Sequence, residues 1–233
     1  MKIIVGDSWG VGEWGTTHGN YAITGPGFAQ YLSLRDQVCN LSVGGASNAD
    51  CVARLESFLQ RYHLAPSDQV FFVVTDPKRQ LLQPALISWV QNVTGTLHEQ
   101  IAHMLQNQLQ IIDDLAAHYK IKINLIAGFI DLVGLDWNQY ANLNVFVDSW
   151  IRLHVPTYQP SILNKTWWPE IGEIIKHHRP DLLEEWIELG NQISKRWTAM
   201  SSSLLLQEQN ITTRTDGLHP TRYSHQQLAL LLD

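Results

Sequence analysis

The chain has 233 residues, of which 45% are hydrophobic and 16% are charged, a balance that allows a globular protein with a sizeable core. Its formal net charge of −6 argues against a nucleic-acid-binding surface, which is normally basic. The sequence shows neither a signal-peptide pattern nor an apolar run long enough to cross a bilayer. We therefore expect a soluble protein that is cytoplasmic as synthesised, and export without a Sec-type signal, for instance as part of a phage particle, stays open.

The first half of the chain alternates short apolar runs with amphipathic segments. The run from Lys2 to Val5 is bounded by Gly6 and predicts a buried strand. The elements predicted next are a glycine-rich irregular loop at 11–26, a helix at 27–34, a strand at 36–42, a turn at 44–46 and a helix that Ser47 caps and that runs to about residue 62.

The second half continues the alternation. Its first strand, at 70–75, is apolar throughout, as a strand buried on both faces should be. The elements predicted after it are a less regular stretch beyond residue 77, a helix at 96–119, strands at 121–127 and 143–150, loops and short turns over 152–180, a helix from 180 to about 209, a loop at 210–215 and a closing helix at 221–232.

Five strands that alternate with helices predict an α/β fold in which a parallel sheet is covered on both faces. We expect a three-layer, doubly wound sheet. The sequence shows no internal repeat, low-complexity tract or linker, so a single domain over residues 1–233 is the simplest interpretation.

Residues with chemical potential follow the strand ends. Ser8 follows the first strand, Gly45 and Asn48 follow the second, and Thr75 follows the third. The carboxyl ends of parallel strands converge on one crevice, where open α/β sheets bind their ligands. A serine there needs a base to become a nucleophile, and His219 near the C-terminus is the candidate.

These segments carry a family resemblance. Gly6-Asp7-Ser8 at the end of strand one, the asparagine-led segment from Asn40 to Gly45, and Asp216-Gly-Leu-His219-Pro220 stand in the order of the motif blocks of the SGNH (GDSL-type) hydrolase superfamily. The chain resembles that superfamily over nearly its whole length. The resemblance implies a doubly wound fold of five parallel strands in the order 2-1-3-4-5, and a serine esterase that works without a cofactor.

The resemblance also implies roles for individual residues. Ser8 is the implied nucleophile, His219 the general base and acid, and Asp216 the carboxylate that orients the imidazole. The backbone N–H groups of Ser8 and Gly45 would face the oxyanion. The expected reaction is hydrolysis of a carboxylic ester through an acyl-enzyme intermediate.

One block departs from the family pattern. The third block is usually Gly-x-Asn-Asp, and its asparagine donates to the oxyanion; here Thr75 takes the place of that asparagine. A threonine hydroxyl has one donor hydrogen and a shorter reach than an amide. Asn48, Lys78 or Arg79 are candidates to replace the missing donor. The alternative hypothesis is a catalytically weak or inactive module that binds a glycan or a protein.

The nine tryptophans bear on the substrate. Trp9 and Trp14 follow the predicted nucleophile closely, and with Trp167 and Trp168 they are candidates to hold a sugar ring or an acyl chain. The favoured substrate is therefore a small-molecule or glycan ester, with an acetylated carbohydrate first. The competing interpretation places these tryptophans in the core.

No metal site is predicted. His177 and His178 are adjacent and point apart, and His98 and His103 are five residues apart, which is not one helix face. Cys39 and Cys51 lack metal spacing and are predicted to be isolated buried thiols.

Overall fold

The computed structural model describes residues 1–17, 20–81, 83–128, 130–150, 152–153, 169–191 and 222–232. The whole segment 192–221 lies outside these ranges, including the predicted loop at 210–215 and Asp216 and His219 beyond it. The prediction of one domain over residues 1–233 stays a prediction.

A five-stranded parallel sheet forms the centre of the molecule. Its strands are β1 (Lys2–Val5), β4 (Val38–Asn40), β5 (Gln69–Val74), β6 (Ile123–Ala127) and β7 (Leu143–Val147). They lie in the order β4-β1-β5-β6-β7, and every neighbouring pair is parallel. The predicted order 2-1-3-4-5 is therefore confirmed.

Helices cover both faces of this sheet. The described helices are α1 (Ser8–Val11), α2 (Phe28–Leu32), α3 (Asn48–Leu59), α4 (Gln83–Gln91), α5 (Leu97–Tyr119), α6 (Pro169–His178), the helical residues 183–191 (α7), and α8 (Arg222–Leu231). Three-residue and four-residue 3₁₀ turns lie at Trp137–Gln139, Pro180–Leu182 and Pro77–Gln80.

The central strands bury alternate side chains on opposite faces, which produces the three layers. Ile3 of β1 packs into a core with α3 and α5, whereas Ile4 packs into a second core with α2 and α8. Phe72 and Phe71 of β5 divide between the same two cores. Burying one such side chain stabilises the fold by about 1.5–3 kcal/mol, so both faces hold the helices that pack on them.

Helix starts follow the predicted capping chemistry. The Ser47 side chain accepts a hydrogen bond from the Asp50 N–H, and the Asp50 carboxylate accepts one from the Ser47 N–H. Thr96 and Glu99 form the same reciprocal arrangement at the start of α5. These capping boxes satisfy backbone donors that a helix start leaves without partners.

Three predicted irregular stretches were wrong. Residues 11–26 form an antiparallel hairpin of β2 (Gly12–Thr17) and β3 (Asn20–Pro26) instead of a loop. The stretches after 77 and before 180 contain α4 and α6, which bury apolar side chains against each other in a separate core. Each of these helices depends on a partner distant in sequence, so local patterns did not indicate it. None of the described helices is both long and apolar enough to cross a membrane.

The two cysteines are free thiols in different environments. Cys51 is buried on α3, and burial, with smaller contributions from the Asp7 and Asp50 charges, raises its pKa to about 12 from an ordinary value of 9.0. Cys39 is half-buried, and burial raises its pKa too. The prediction of isolated thiols is confirmed, with Cys39 only partly buried.

We predict that iodoacetamide at pH 8 modifies Cys39 before Cys51, because alkylation needs an accessible thiolate. Mass spectrometry of time points would follow each site, with denatured protein as the control in which both react. Equal alkylation rates of the two cysteines in the native protein would contradict this order of reaction.

The raised pKa of Cys51 also makes the free energy of unfolding depend on pH. The unfolded thiol ionises from about pH 9 while the native thiol stays protonated, so the contribution of Cys51 to stability is lost as pH rises from about 9 to about 12.

Candidate functional site

The strand order creates a switch point between β1 and β5. After β1 the chain forms β4 on one side of β1, and after β4 it crosses back to form β5 on the other side of β1. Crevices at the carboxyl ends of such strand pairs are the usual ligand sites of open α/β sheets. Ser8 follows β1 and Thr75 follows β5, so these two residues flank the switch point.

Ser8 is held in a tight turn. We call residues Asp7–Gly10 the Ser8 turn. The Asp7 carboxylate accepts a hydrogen bond from the Trp9 N–H at 2.9 Å, and the Asp7 carbonyl accepts one from the Gly10 N–H at 3.0 Å. Ser8 is 4% exposed, so little of its surface meets solvent.

The segment Asn40–Gly45 lies against the Ser8 turn. The Asn40 amide donates to the Gly10 carbonyl at 3.2 Å, and the Val43 N–H donates to the Gly6 carbonyl at 3.0 Å. A Cβ atom at Gly10 would lie 2.3 Å from the Ser42 hydroxyl, so only glycine allows this approach. The first and second motif blocks are thus in contact.

Gly45 lies in the last turn of that segment. The Ala46 N–H donates to the Val43 carbonyl at 3.1 Å and closes a four-residue turn. Gly45 has a φ of +78° at the third position of this turn, a conformation that glycine adopts without strain. An added Cβ there would meet no atom of the described residues within 4 Å, so no described part of the chain fills the space beside Gly45.

A buried acidic group lies under the Ser8 turn. The second carboxylate oxygen of Asp7 accepts a hydrogen bond from the Thr75 hydroxyl at 2.6 Å and one from the Arg79 guanidinium at 2.9 Å. Asp7 and Thr75 are fully buried. Hydrogen bonds to an ionised acceptor are shorter and stronger than neutral ones, as the Thr75 distance illustrates.

Asn48 fixes the backbone of Thr75. Its amide oxygen accepts from the Thr75 N–H at 2.9 Å, and its amide nitrogen donates to the Thr75 carbonyl at 3.0 Å and to Gln108 at 2.7 Å. Gln108 in turn donates to the Pro77 carbonyl at 2.8 Å. These bonds connect α3 and α5 to the end of β5.

A second acid–base pair follows β5. The Lys78 ammonium lies 3.1 Å from the Asp76 carboxylate, and both side chains are almost completely buried. Burial lowers the pKa of Lys78, and the Asp76 charge opposes that change. Burial alone would disfavour the charged form of each side chain, and the attraction between the two charges offsets that cost.

The structure brings together Ser8, Gly45, Asn48 and Thr75 on neighbouring strand ends, and their predicted roles stay predictions. Trp9 has only 2% of its surface exposed and packs edge-to-face on Trp150 with ring centroids 5.3 Å apart, as the core interpretation of that residue has it. Asp216, His219 and the side chain of Trp14 lie outside the described part of the chain.

Sequence reasoning missed two members of this group. Arg79 was considered only as a substitute oxyanion donor, whereas it pairs with Asp7. Gln108 was not singled out, although it is a polar residue on the buried face of α5. A buried carboxylate after strand one needs a cation to pair with. The two cations Lys78 and Arg79, which follow strand three, are the sequence feature that indicates such a partner.

The described ranges contain no cluster of three or more histidine, cysteine, aspartate or glutamate residues that would hold a metal ion.

Comparison with known proteins gives little. No protein-family model matches the chain, and no curated protein does. Among solved structures, the chain is similar to one described as the crystal structure of TesA, with 16% sequence identity, a TM-score of 0.42, and coverage of 99% of this chain and 94% of that chain. A likeness at that level carries no inference about function.

We predict that Asn48→Ala lowers the free energy of unfolding by about 1–3 kcal/mol for each buried polar group that it leaves without a partner, and these groups belong to Thr75 and Gln108. Urea denaturation would measure the loss, with Asn144→Ala on the exposed side of β7 as the matched control. A change no larger than that of the control would mean that the Asn48 contacts contribute nothing to stability.

Proposed function

We propose that the protein is a serine hydrolase of the SGNH type that cleaves carboxylic esters, with Ser8 as its nucleophile. The observation that carries the proposal is the place of Ser8, which follows β1 at the switch point of a doubly wound sheet. The contact between the Ser8 turn and the segment Asn40–Gly45 supports it, because an acyl-transfer site needs backbone donors near the nucleophile.

The proposed reaction has two halves. The Ser8 hydroxyl oxygen attacks the ester carbonyl carbon while His219 takes its proton, and the backbone N–H groups of Ser8 and Gly45 stabilise the oxyanion. The tetrahedral intermediate then collapses, and His219 returns the proton to the departing alcohol. Water attacks the acyl-enzyme with His219 as base, which releases the acid and restores Ser8. Asp216 orients the imidazole.

The proposed substrate is an ester with a small acyl group, with an acetylated carbohydrate first. Because Trp9 is buried, the carbohydrate part of the proposal depends on Trp14, which is close to Ser8 in sequence. The proposal of a small acyl group depends on the burial of Ser8, which is 4% exposed.

A second candidate function is a non-catalytic module of the same fold that binds a glycan or a protein. The Thr75 hydroxyl donates its one hydrogen to Asp7, and both amide hydrogens of Asn48 have acceptors. Neither side chain therefore supplies the third oxyanion donor of the family pattern. Loss of one such donor typically costs about 100- to 1000-fold in rate.

Labelling with a fluorophosphonate probe separates the two functions. We expect the wild-type protein to be labelled at Ser8, and we expect Ser8→Ala and His219→Ala to lose labelling because one lacks the nucleophile and the other its base. Ser67→Ala, at an exposed position, is the matched control. A folded wild-type protein that stays unlabelled would favour the binding module.

A series of p-nitrophenyl esters of increasing chain length tests the substrate. We expect kcat/KM to be highest for the acetyl ester and to fall as the chain lengthens. Ser8→Ala measured in parallel gives the background rate. A maximum at a long acyl chain would contradict the proposed small acyl group while leaving the hydrolase itself in place.

A further inference from the structure

We propose that Thr75 and Arg79 are positioning residues that hold the Ser8 turn in place through the buried carboxylate of Asp7. The catalytic meaning of this arrangement rests on the proposed function of Ser8. The structural part, that Thr75 and Arg79 hold the Ser8 turn in place, does not depend on that function, because it concerns only the contacts of Asp7.

The two oxygens of Asp7 have separate tasks. One accepts the Trp9 N–H at 2.9 Å, inside the Ser8 turn, and the other accepts from Thr75 and Arg79, which belong to the chain after β5. Because a carboxylate is a planar group with a fixed distance between its two oxygens, these bonds join the Ser8 turn to the chain after β5 through one rigid group. The position of the turn at the end of β1 is thereby tied to the end of β5.

Burial makes these contacts obligatory. Asp7 has no exposed surface, and an ionised carboxylate out of water is costly unless it is paired and hydrogen-bonded. The two cations that follow β5 are divided between two acids, since Lys78 pairs with Asp76 and Arg79 with Asp7. The Arg79 side chain is 13% exposed, so its pair with Asp7 is largely shielded from solvent.

Thr75 suits this role better than that of an oxyanion donor. Its hydroxyl has one hydrogen, which it donates to the Asp7 carboxylate with the two oxygens 2.6 Å apart, so the same group cannot donate to a substrate at the same time. Asn48 holds its backbone N–H and carbonyl, which leaves the residue little freedom to turn toward another acceptor. The threonine is thus a fixed donor to the support of the nucleophile.

The first test compares Thr75→Val with Thr75→Ser. Valine removes the hydroxyl at nearly constant shape, and we expect kcat for p-nitrophenyl acetate to fall ~10- to 100-fold with KM within about 3-fold, since small misplacements of a reacting group cost that much. Serine keeps the hydroxyl and should restore most of kcat. Thr94→Val, at an exposed position, is the matched control. An unchanged kcat in Thr75→Val, or a serine variant as slow as the valine one, would overturn the proposal.

The second test asks whether Thr75 and Arg79 act on one group. If both act through Asp7, the kcat of Thr75→Val combined with Arg79→Met should lie within about 3-fold of the slower single variant, since coupled sites are not additive. Losses that multiply would indicate that Thr75 acts independently, as an oxyanion donor would. If Arg79→Met does not fold, the comparison of Thr75→Val with Thr75→Ser and the hydrogen-exchange test below decide the proposal.

The third test needs no enzyme activity. In ¹⁵N-labelled protein, Thr75→Val should speed hydrogen exchange of the Trp9 amide about 10-fold more than that of Leu125, a buried amide in the centre of β6 that reports global unfolding. Equal factors at both amides would overturn the positioning role even in an active enzyme. A selective rise at Trp9 in a protein that neither hydrolyses esters nor reacts with the probe would keep the positioning role and reject the proposed function.

Discussion

The burial of the Asp7 carboxylate constrains everything around Ser8. A charged group with no exposed surface must receive all its compensation from the protein, and here it comes from a backbone N–H, a hydroxyl and a guanidinium. These donors come from both sides of the switch point between β1 and β5. Moving the Ser8 turn would therefore lengthen a charge-assisted bond in a region that water does not reach, and that resists displacement more strongly than a loop on the surface would.

The position of this carboxylate depends in turn on the helix layer on one face of the sheet. Asn48 begins α3 and Gln108 lies on the buried face of α5, and together they hold the backbone at the end of β5. Both helices are anchored by the apolar core that they share with the sheet. The apolar core thus holds the two helices in place, and amide hydrogen bonds from these helices hold the backbone at the end of β5, where Thr75 donates to Asp7.

Much of this fold could be predicted because its signals are local. The apolar runs of β1 and β5 and the capping residues Ser47 and Thr96 indicate their elements without reference to distant parts of the chain. The hairpin at 12–26 could not be predicted in that way because its stretch is rich in glycine, which is typical of loops. The pair α4 and α6 could not be predicted because the two helices pack against each other from distant parts of the chain. The strand order matches the one that the family resemblance implies, and it brings Ser8, Gly45 and Thr75 to the same edge of the sheet.

The partners within the site are a different matter, because a motif names residue types and leaves open which donor meets which acceptor. Judged from the family pattern, Thr75 is a shorter substitute for an asparagine and a weaker donor to the oxyanion. Its contacts give the substitution another meaning: the hydroxyl lies 2.6 Å from Asp7, and the cation beside it satisfies the same oxygen. An asparagine is a longer side chain with two donor hydrogens, whereas threonine has one and must be committed to a single acceptor. The departure at this position is therefore tied to Arg79 and Asp7, and these three residues have to be considered as one unit when the site is compared with any serine hydrolase.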